Sequence, residues 1–230
     1  MEYVVDGIKE ALRIIAAFDP EFLQIVSVSL RTAGASTLLA TLTGVPFGIL
    51  VATQTFPGRR ALIMVLNTLM SLPTVVIGLL VYSFLSGHGP LGRLGLLYSV
   101  TAMVIGQFIL AFPIVAGLTV SAVQGLDGRI RQTLASLGAD SRQSLRMFLN
   151  EARFGLFGAM VAGFGRVFSE IGVSMMLGGN IKGYTRNITT AMALETSKGE
   201  FAMGLALGII LLAIALIVNV SFGLLQRKTK

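Results

Sequence analysis

Two ionisable side chains stand inside an otherwise apolar run of the sequence. Arg166 and Glu170 are four residues apart in the run 154–177, so on a helix they share one face. At about 1.5 Å per residue, Arg166 lies about 18 Å from the start of that run. Charges at such a depth in a bilayer usually face a protein interior or a watery path. The pair therefore has two open roles, as an internal ion pair that fixes the helix or as part of a substrate pathway.

A second polar group follows that run, between residues 178 and 190. Its backbone amides, hydroxyls and two cations could receive a dianion or touch a protein that delivers one. A structural loop that packs against the next apolar run is the alternative. The candidate contacts of this external loop are Asn180, Lys182, Arg186 and Thr189.

The motifs of an enzyme are missing. The sequence has no Gly-Lys-Ser or Gly-Lys-Thr phosphate loop, no His-Glu-x-x-His pair and no Gly-x-Ser-x-Gly turn. It has no Cys and a single His, which argues against disulfides and against a Cys/His metal site. Glu170 is the only acid inside an apolar run, so no carboxylate pair is expected at depth. We expect no catalytic residue, no metal ligand and no cofactor bound by this chain.

Composition places the chain in a membrane. Of its 230 residues, 54% are hydrophobic and 13% charged, with a mean hydropathy of +0.81, whereas roughly a quarter are charged in soluble domains. The apolar residues form long runs instead of the short alternating segments of a β-barrel, which predicts helices. The net charge of +7 comes from basic residues beside the ends of these runs, as orientation signals do. Nucleic acid is therefore not an expected partner, whereas membrane lipid is.

These runs predict an all-α integral membrane protein with five transmembrane helices in one domain over residues 22–224. Residues 1–21 form an amphipathic segment on the membrane surface, and residues 225–230 form a basic tail. Pro73 predicts a kink in the second span, and Gln107 predicts a helix-to-helix hydrogen bond in the third. The predicted spans are about 22–53, 61–85, 96–124, 154–177 and 201–224.

The distribution of basic residues predicts the orientation. Five spans place the termini on opposite faces, and ten Lys and Arg fall on the side of the tail, against six on the other side diluted by seven acids. The positive-inside rule then places the carboxyl terminus in the cytoplasm and the amino terminus outside.

The segment 127–153 connects the third and fourth spans on the cytoplasmic side. Its five arginines and three acids keep it out of the bilayer. Apolar residues at helical spacing predict two short amphipathic helices, the first ended by Gly138 and the second capped by Asp140 with Gln143. Docking to a cytoplasmic partner and contact with lipid headgroups are the two interpretations of this helix pair.

This loop resembles the coupling loop of permease subunits of type I, binding-protein-dependent ABC importers. The family pattern is Glu-Ala-Ala, three residues, Gly, nine residues, then Ile-X-Leu-Pro. In this sequence the corresponding residues are Gln132-Thr133-Leu134, Gly138, Phe148 and Asn150-Glu151. The stretch 71–82 looks like the second span of oxyanion permeases, and 151–201 closely resembles the subgroup assigned to tungstate, which also lacks the Leu-Pro ending.

The resemblance implies a molybdate-permease-like fold and a function. The chain would be the pore-forming permease subunit of an ATP-driven importer in a prokaryotic inner (cell) membrane. Its substrate would be a tetrahedral oxyanion, tungstate first, with molybdate or sulfate as alternatives. A secondary transporter that works alone, and a non-transporting scaffold, are the rivals from other classes. The first of these would favour inverted repeats and interrupted helices paired across two halves, neither of which we find in the sequence.

The resemblance also implies partners. A separate ABC ATPase subunit would use ATP and Mg, and an extracytoplasmic binding protein would deliver the substrate. Because the chain has no internal repeat, a two-fold homodimer is the simplest way to form a central pathway. The residues that would couple the chain to the ATPase are Gln132, Leu134, Leu137, Gly138, Ala139 and Arg142.

Overall fold

A computed structural model describes residues 2–17, 19–126, 134 and 136–227. The regular elements that it assigns in this part of the chain are all helices, and none of these residues is in a β-strand. We number them α1 Glu2–Ala17, α2 Pro20–Thr53, α3 Arg59–Met70, α4 Thr74–Leu85, α5 Val100–Gln124, α6 Ser141–Glu151, α7 Arg153–Phe168, α8 Gly172–Gly178, α9 Ile188–Lys198 and α10 Phe201–Arg227.

Three of these helices are long and apolar enough to cross a membrane as continuous rods, namely α2, α5 and α10. Two further crossings would be bent pairs: α3 and α4 meet at 99°, and α7 and α8 meet at 60°. The kink expected at Pro73 is confirmed, since this residue is the N-cap of α4. The fourth predicted span is not one helix, because the chain leaves helical geometry between Phe168 and Gly172. The count of five spans stays a prediction.

The centre of the bundle is the parallel crossing of α2 and α5. A Cβ added to Gly48 of α2 would lie 2.7 Å from the Ala116 carbonyl oxygen and 2.7 Å from Thr119 Cβ. Only glycine permits this approach. In lipid, where apolar burial supplies little drive between helices, such close backbone contact is a main source of association.

Small residues also bring α7 onto α5 and α10 onto α9. In α7, a Cβ on Gly155 would meet Ala122 Cβ at 2.5 Å, and one on Gly163 would meet Val115 Cγ2 at 2.8 Å. In α10, Gly204 faces the Thr196 hydroxyl in the same way, at 3.1 Å. The helices α2, α5 and α7 therefore form a closely packed inner group.

The amino-terminal segment is a separate helix followed by a capped start of α2. Asp19 Oδ1 accepts hydrogen bonds from the backbone amides of Glu21 at 2.7 Å and Phe22 at 3.3 Å, and Pro20 occupies the first turn. Both features favour helix initiation. The first long helix therefore begins at Pro20, two residues before the predicted boundary, and α1 packs against α10.

One side chain joins the end of α2 to the start of α3. Arg59 donates from Nε to the Val51 carbonyl oxygen at 2.7 Å and from Nη2 to the Ala52 carbonyl oxygen at 3.0 Å. These carbonyls belong to the last turn of α2, where no intrahelical donors remain. The turn between the two helices is thus closed by a charged clamp.

Candidate functional site

The helix α6 begins with the cap that the sequence predicts. Asp140 accepts a hydrogen bond from the Gln143 amide at 2.7 Å, and the Gln143 side chain accepts one from the Asp140 amide at 2.9 Å. This reciprocal pair is a capping box, which satisfies two amides that a helix start leaves free. It fixes the point at which the chain turns into α6.

Gly138 forms the joint before α6. Its φ is 65°, in the left-handed region, and the Ala139 amide donates to the Leu134 carbonyl oxygen at 3.0 Å. This is the bond of a Schellman-type helix end, so the predicted stop at Gly138 is confirmed. A Cβ at this position would meet no atom within 4 Å. Of the residues predicted to dock, Gln132 lies outside the described residues, as does most of the segment predicted to form the first short helix.

The joint and α6 present an apolar and basic surface, which we call the α6 surface (Leu137, Gly138, Arg142, Leu145 and Arg146). The side chains of Leu137 and Leu145 are 76% and 43% exposed, and both arginines are exposed. A groove of about 580 Å³ separates α6 from the carboxyl-terminal end of α2, with Pro46, Leu50, Leu134, Ala139, Leu145 and Phe148 among its lining residues. Exposed apolar anchors with a cationic rim are suited to docking a protein.

At the other end of α7, Arg166 and Glu170 form an ion pair. Arg166 Nη1 lies 2.8 Å from Glu170 Oε2. The two partners differ in environment, since the side chain of Glu170 is 3% exposed and that of Arg166 is 36% exposed. Glu170 Oε1 also accepts a hydrogen bond from the Val173 amide at 3.2 Å, so the carboxylate covers the first turn of α8.

The main chain of Glu170 is held from a distant segment. Its carbonyl oxygen accepts a hydrogen bond from the Thr189 hydroxyl at 2.8 Å. Thr189 is buried in the first turn of α9, which Asn187 caps through the Thr190 amide at 2.9 Å. Thr189 therefore faces the interior, and of the other three side chains predicted as external loop contacts only Lys182 is largely exposed, at 67%.

Those three side chains lie in the loop before α9. The Glu21 carboxylate forms ion pairs with Lys182 Nζ at 2.7 Å and with Arg186 Nη1 at 3.5 Å. The side-chain amide of Gln24 also donates a hydrogen bond to the Gly183 carbonyl oxygen. Arg186 Nε and Asn180 Oδ1 are buried without a hydrogen-bond partner within the described part of the chain. The loop is thus tied to the start of α2, and one acid partly neutralises its two cations.

Gln107 connects three helices, as predicted. Its Oε1 accepts from the Ser36 hydroxyl at 3.3 Å, and its Nε2 donates to Ser174 Oγ at 3.1 Å. It is almost fully buried, so it serves packing between α2, α5 and α8.

Tyr98 is a feature that sequence reasoning missed. It has a φ of 62°, which is uncommon for a bulky residue, and its amide donates to the Leu177 carbonyl oxygen at 2.8 Å. Its hydroxyl lies 3.5 Å from that of Tyr82. This hydrogen bond raises the pKa of the Tyr98 phenol, which stands before α5 begins. No spacing or composition signal marks a tyrosine that adopts this conformation.

The two helix breaks touch one another. A Cβ added to Gly172, at the start of α8, would lie 3.2 Å from Thr74 Oγ1 at the start of α4 and 3.2 Å from Glu170 Oε1. The ion pair therefore lies beside both bends. In the described residues, no three His, Cys, Asp or Glu side chains come together as a metal site would require.

Comparisons with known proteins agree with this architecture. Residues 44–230 match the family described as "Binding-protein-dependent transport system inner membrane component". The chain is 38% identical over 228 residues to the tungstate uptake system permease protein TupB of Peptoclostridium acidaminophilum, covering 99% of this chain and 100% of that protein. It is 37% identical to the TupB protein of Campylobacter jejuni, covering 95% and 92% respectively.

More distant relatives extend the comparison. The molybdenum transport system permease protein ModB of Escherichia coli (strain K12) is 30% identical, covering 86% of this chain and 90% of that protein. Among solved structures, a chain of the MetNI methionine ABC transporter, in inward-facing conformations, superposes with a TM-score of 0.73 at 18% identity, covering 91% of this chain and 96% of that chain. At this identity the structural likeness concerns the fold alone.

Proposed function

The chain belongs to the family of binding-protein-dependent transport system inner membrane components, and we propose that it carries tungstate across the membrane. It has the type I ABC importer permease fold and is a non-catalytic permease subunit, with ATP hydrolysis on a separate subunit. The proposed substrate rests on the full-length similarity to tungstate uptake permeases. The identity to these proteins is higher than the identity to the molybdenum permease. Molybdate is the next candidate and sulfate the third.

A permease of this family works with an ATPase and a substrate-binding protein. We place the ATPase on the α6 surface, where Leu137 and Leu145 would anchor in an apolar groove and Arg142 would pair with acids at its rim. The direct junction of α6 and α7 at Ala152 supports this role, because a displacement of α6 would be passed to α7 without an intervening loop. The ATPase partner, and not this chain, would hold ATP and Mg.

The binding protein would dock at the opposite end, on the loop that carries Asn180, Lys182 and Arg186. Lys182 is 67% exposed and could pair with an acid of the incoming protein.

The separation of these two surfaces supports an amino terminus outside and a carboxyl terminus in the cytoplasm. The inner end of α2 lines the same groove as α6, whereas the outer end of α2 binds the loop before α9 through Glu21 and Gln24. A pathway between two copies would then run along the bends beside Arg166. A two-fold homodimer is therefore the assembly that we propose.

Reconstitution tests this proposal. The chain, its ATPase and its binding protein are placed in proteoliposomes, and ATP-dependent uptake of tungstate, molybdate and sulfate is measured with the binding protein loaded in turn with each anion. We expect uptake of tungstate to be fastest. Uptake of amino acids or sugars but of no oxyanion would refute the substrate, and full uptake without the ATPase would favour a secondary transporter.

A further inference from the structure

The ion pair stands where two broken helices meet in the membrane interior. The first helix of each bent pair, α3 and α7, has 12 and 16 residues, and at about 1.5 Å per residue each reaches roughly 18–24 Å from its inner end. The bends lie at similar depth and touch through Gly172 and Thr74. Broken helices near the middle of a bilayer often surround the substrate site of a transporter.

The two partners of the pair are held very unequally. Glu170 is 3% exposed, its Oε1 is fixed by the Val173 amide and its carbonyl oxygen is fixed by Thr189. Arg166 is 36% exposed, and a guanidinium has five N–H donors, of which Nη1 makes the contact to Glu170. The carboxylate is therefore part of the framework, whereas the arginine can turn toward an anion without breaking any other contact that we describe.

We propose that Arg166 binds the transported oxyanion in transit by exchanging Glu170 for it. This inference rests on the proposed import of a tetrahedral dianion. Guanidinium binds an oxyanion through two parallel hydrogen bonds, and at equal distance a dianion attracts Arg166 about twice as strongly as one carboxylate does. The arriving dianion thus competes with the carboxylate for Arg166.

The same exchange explains why the site would release its substrate. A lone arginine in a low-dielectric interior would hold a dianion tightly and slow its transport. Glu170 stays within reach of Arg166 because its own contacts fix it, so the carboxylate competes for the arginine as the anion leaves. A transport site needs this balance between entry and exit.

Three variants separate the exchange from a static ion pair. The double variant Arg166→Gln/Glu170→Gln removes both charges and keeps hydrogen-bonding side chains, so no charge is left buried and unpaired. Glu170→Gln alone keeps an acceptor for the Val173 amide but removes the competitor. Arg31→Gln is the matched control, since Arg31 is an exposed arginine within α2 and lies about as far along its helix, at roughly 17 Å.

The experiment uses the complex of permease and ATPase in detergent, with the midpoint of thermal unfolding measured in increasing sodium tungstate. We expect the tungstate concentration for half-maximal stabilisation to fall at least tenfold in Glu170→Gln. In the double variant, the unfolding midpoint should show no saturable dependence on tungstate. Arg31→Gln should behave as the wild type. Perrhenate is a tetrahedral monoanion, so the sodium perrhenate concentration for half-maximal stabilisation of the wild type should be at least tenfold higher than that of tungstate.

Uptake in proteoliposomes gives the second measurement. Glu170→Gln should import tungstate more slowly and be inhibited by lower internal tungstate, and the double variant should lose most uptake. Equal tungstate stabilisation of the wild type and the double variant, or weaker binding by Glu170→Gln, would overturn the exchange. If the wild-type complex imports no tungstate at all, the proposed function fails instead, and the two failures are thereby distinguished.

Discussion

Replacing Gly138 by valine should weaken coupling through the backbone alone. Gly138 has a φ of 65°, and a Cβ there would meet no atom within 4 Å, so a new side chain would cause no collision with its neighbours. Valine would instead raise the energy of the left-handed backbone conformation. This conformation costs about 1–2 kcal/mol for a residue with a Cβ, and the cost is highest for a β-branched residue. That energy corresponds to roughly a 5- to 30-fold smaller equilibrium constant for the native joint against its alternative conformations.

The measurement is ATP hydrolysis stimulated by loaded binding protein, with the ATPase subunit added at several concentrations. We expect Gly138→Val to need roughly 5- to 30-fold more ATPase subunit for half-maximal activity, with Gly138→Asn much less affected because asparagine tolerates this conformation. Gly95→Val is the control, since Gly95 has a φ of 59° and equal free space but lies between α4 and α5, far from α6. Unchanged stimulation of Gly138→Val, or an equal loss in Gly95→Val, would refute the role of the joint.

Three further predictions concern packing and capping. Gly48→Ala should lower the stability of the solubilised protein by about 1–3 kcal/mol through overpacking against Ala116, whereas Gly34→Ala on the same helix, where a Cβ meets nothing within 4 Å, should not; equal thermal unfolding midpoints would contradict this. Gln107→Leu should cost about 0.6–1.7 kcal/mol by breaking the bridge between three helices, measured by denaturant unfolding; no change would mean that water replaces the bridge. Asp140→Ala should destabilise α6 by about 1 kcal/mol and reduce copurification of the ATPase, whereas Asp140→Asn should retain the cap; equal copurification of the two variants would contradict the capping role.

Local signals in the sequence predicted local features well. Asp140 with Gln143 predicted a capping box, Gly138 predicted a left-handed helix end, and Pro73 predicted a bend. Each of these depends on side-chain chemistry within a few residues, so no distant contact is needed to recognise it. The role of Gln107 was also predictable, because a polar side chain in an apolar helix must find a partner in lipid.

The break between α7 and α8 was not predictable in this way. The run 154–177 has no proline and keeps its apolar character, so by itself it favours one continuous helix. The open turn at Glu170 is instead stabilised from outside, by the Thr189 hydroxyl on its carbonyl oxygen and by contact of Gly172 with α4. Tyr98 is similar, since the Leu177 carbonyl oxygen holds it in its conformation. Hydrogen bonds between residues that are distant in the sequence produce no periodic pattern from which they could be predicted.

The hydrogen bonds that Arg59 makes between α2 and α3 bear on how a displacement of α6 would spread through the bundle. Pro46 and Leu50 of α2 line the groove beside α6, so a movement of α6 that closes this groove would bring α6 against the carboxyl-terminal end of α2. Arg59 holds that end to α3 through two carbonyl oxygens, so α3 follows the movement as a lever arm. The helix α3 ends at the 99° bend, and α4 begins there as a separate helix. If the ATPase docks on the α6 surface as we propose, a displacement of α6 would reach the bend beside Arg166 through α2, Arg59 and α3.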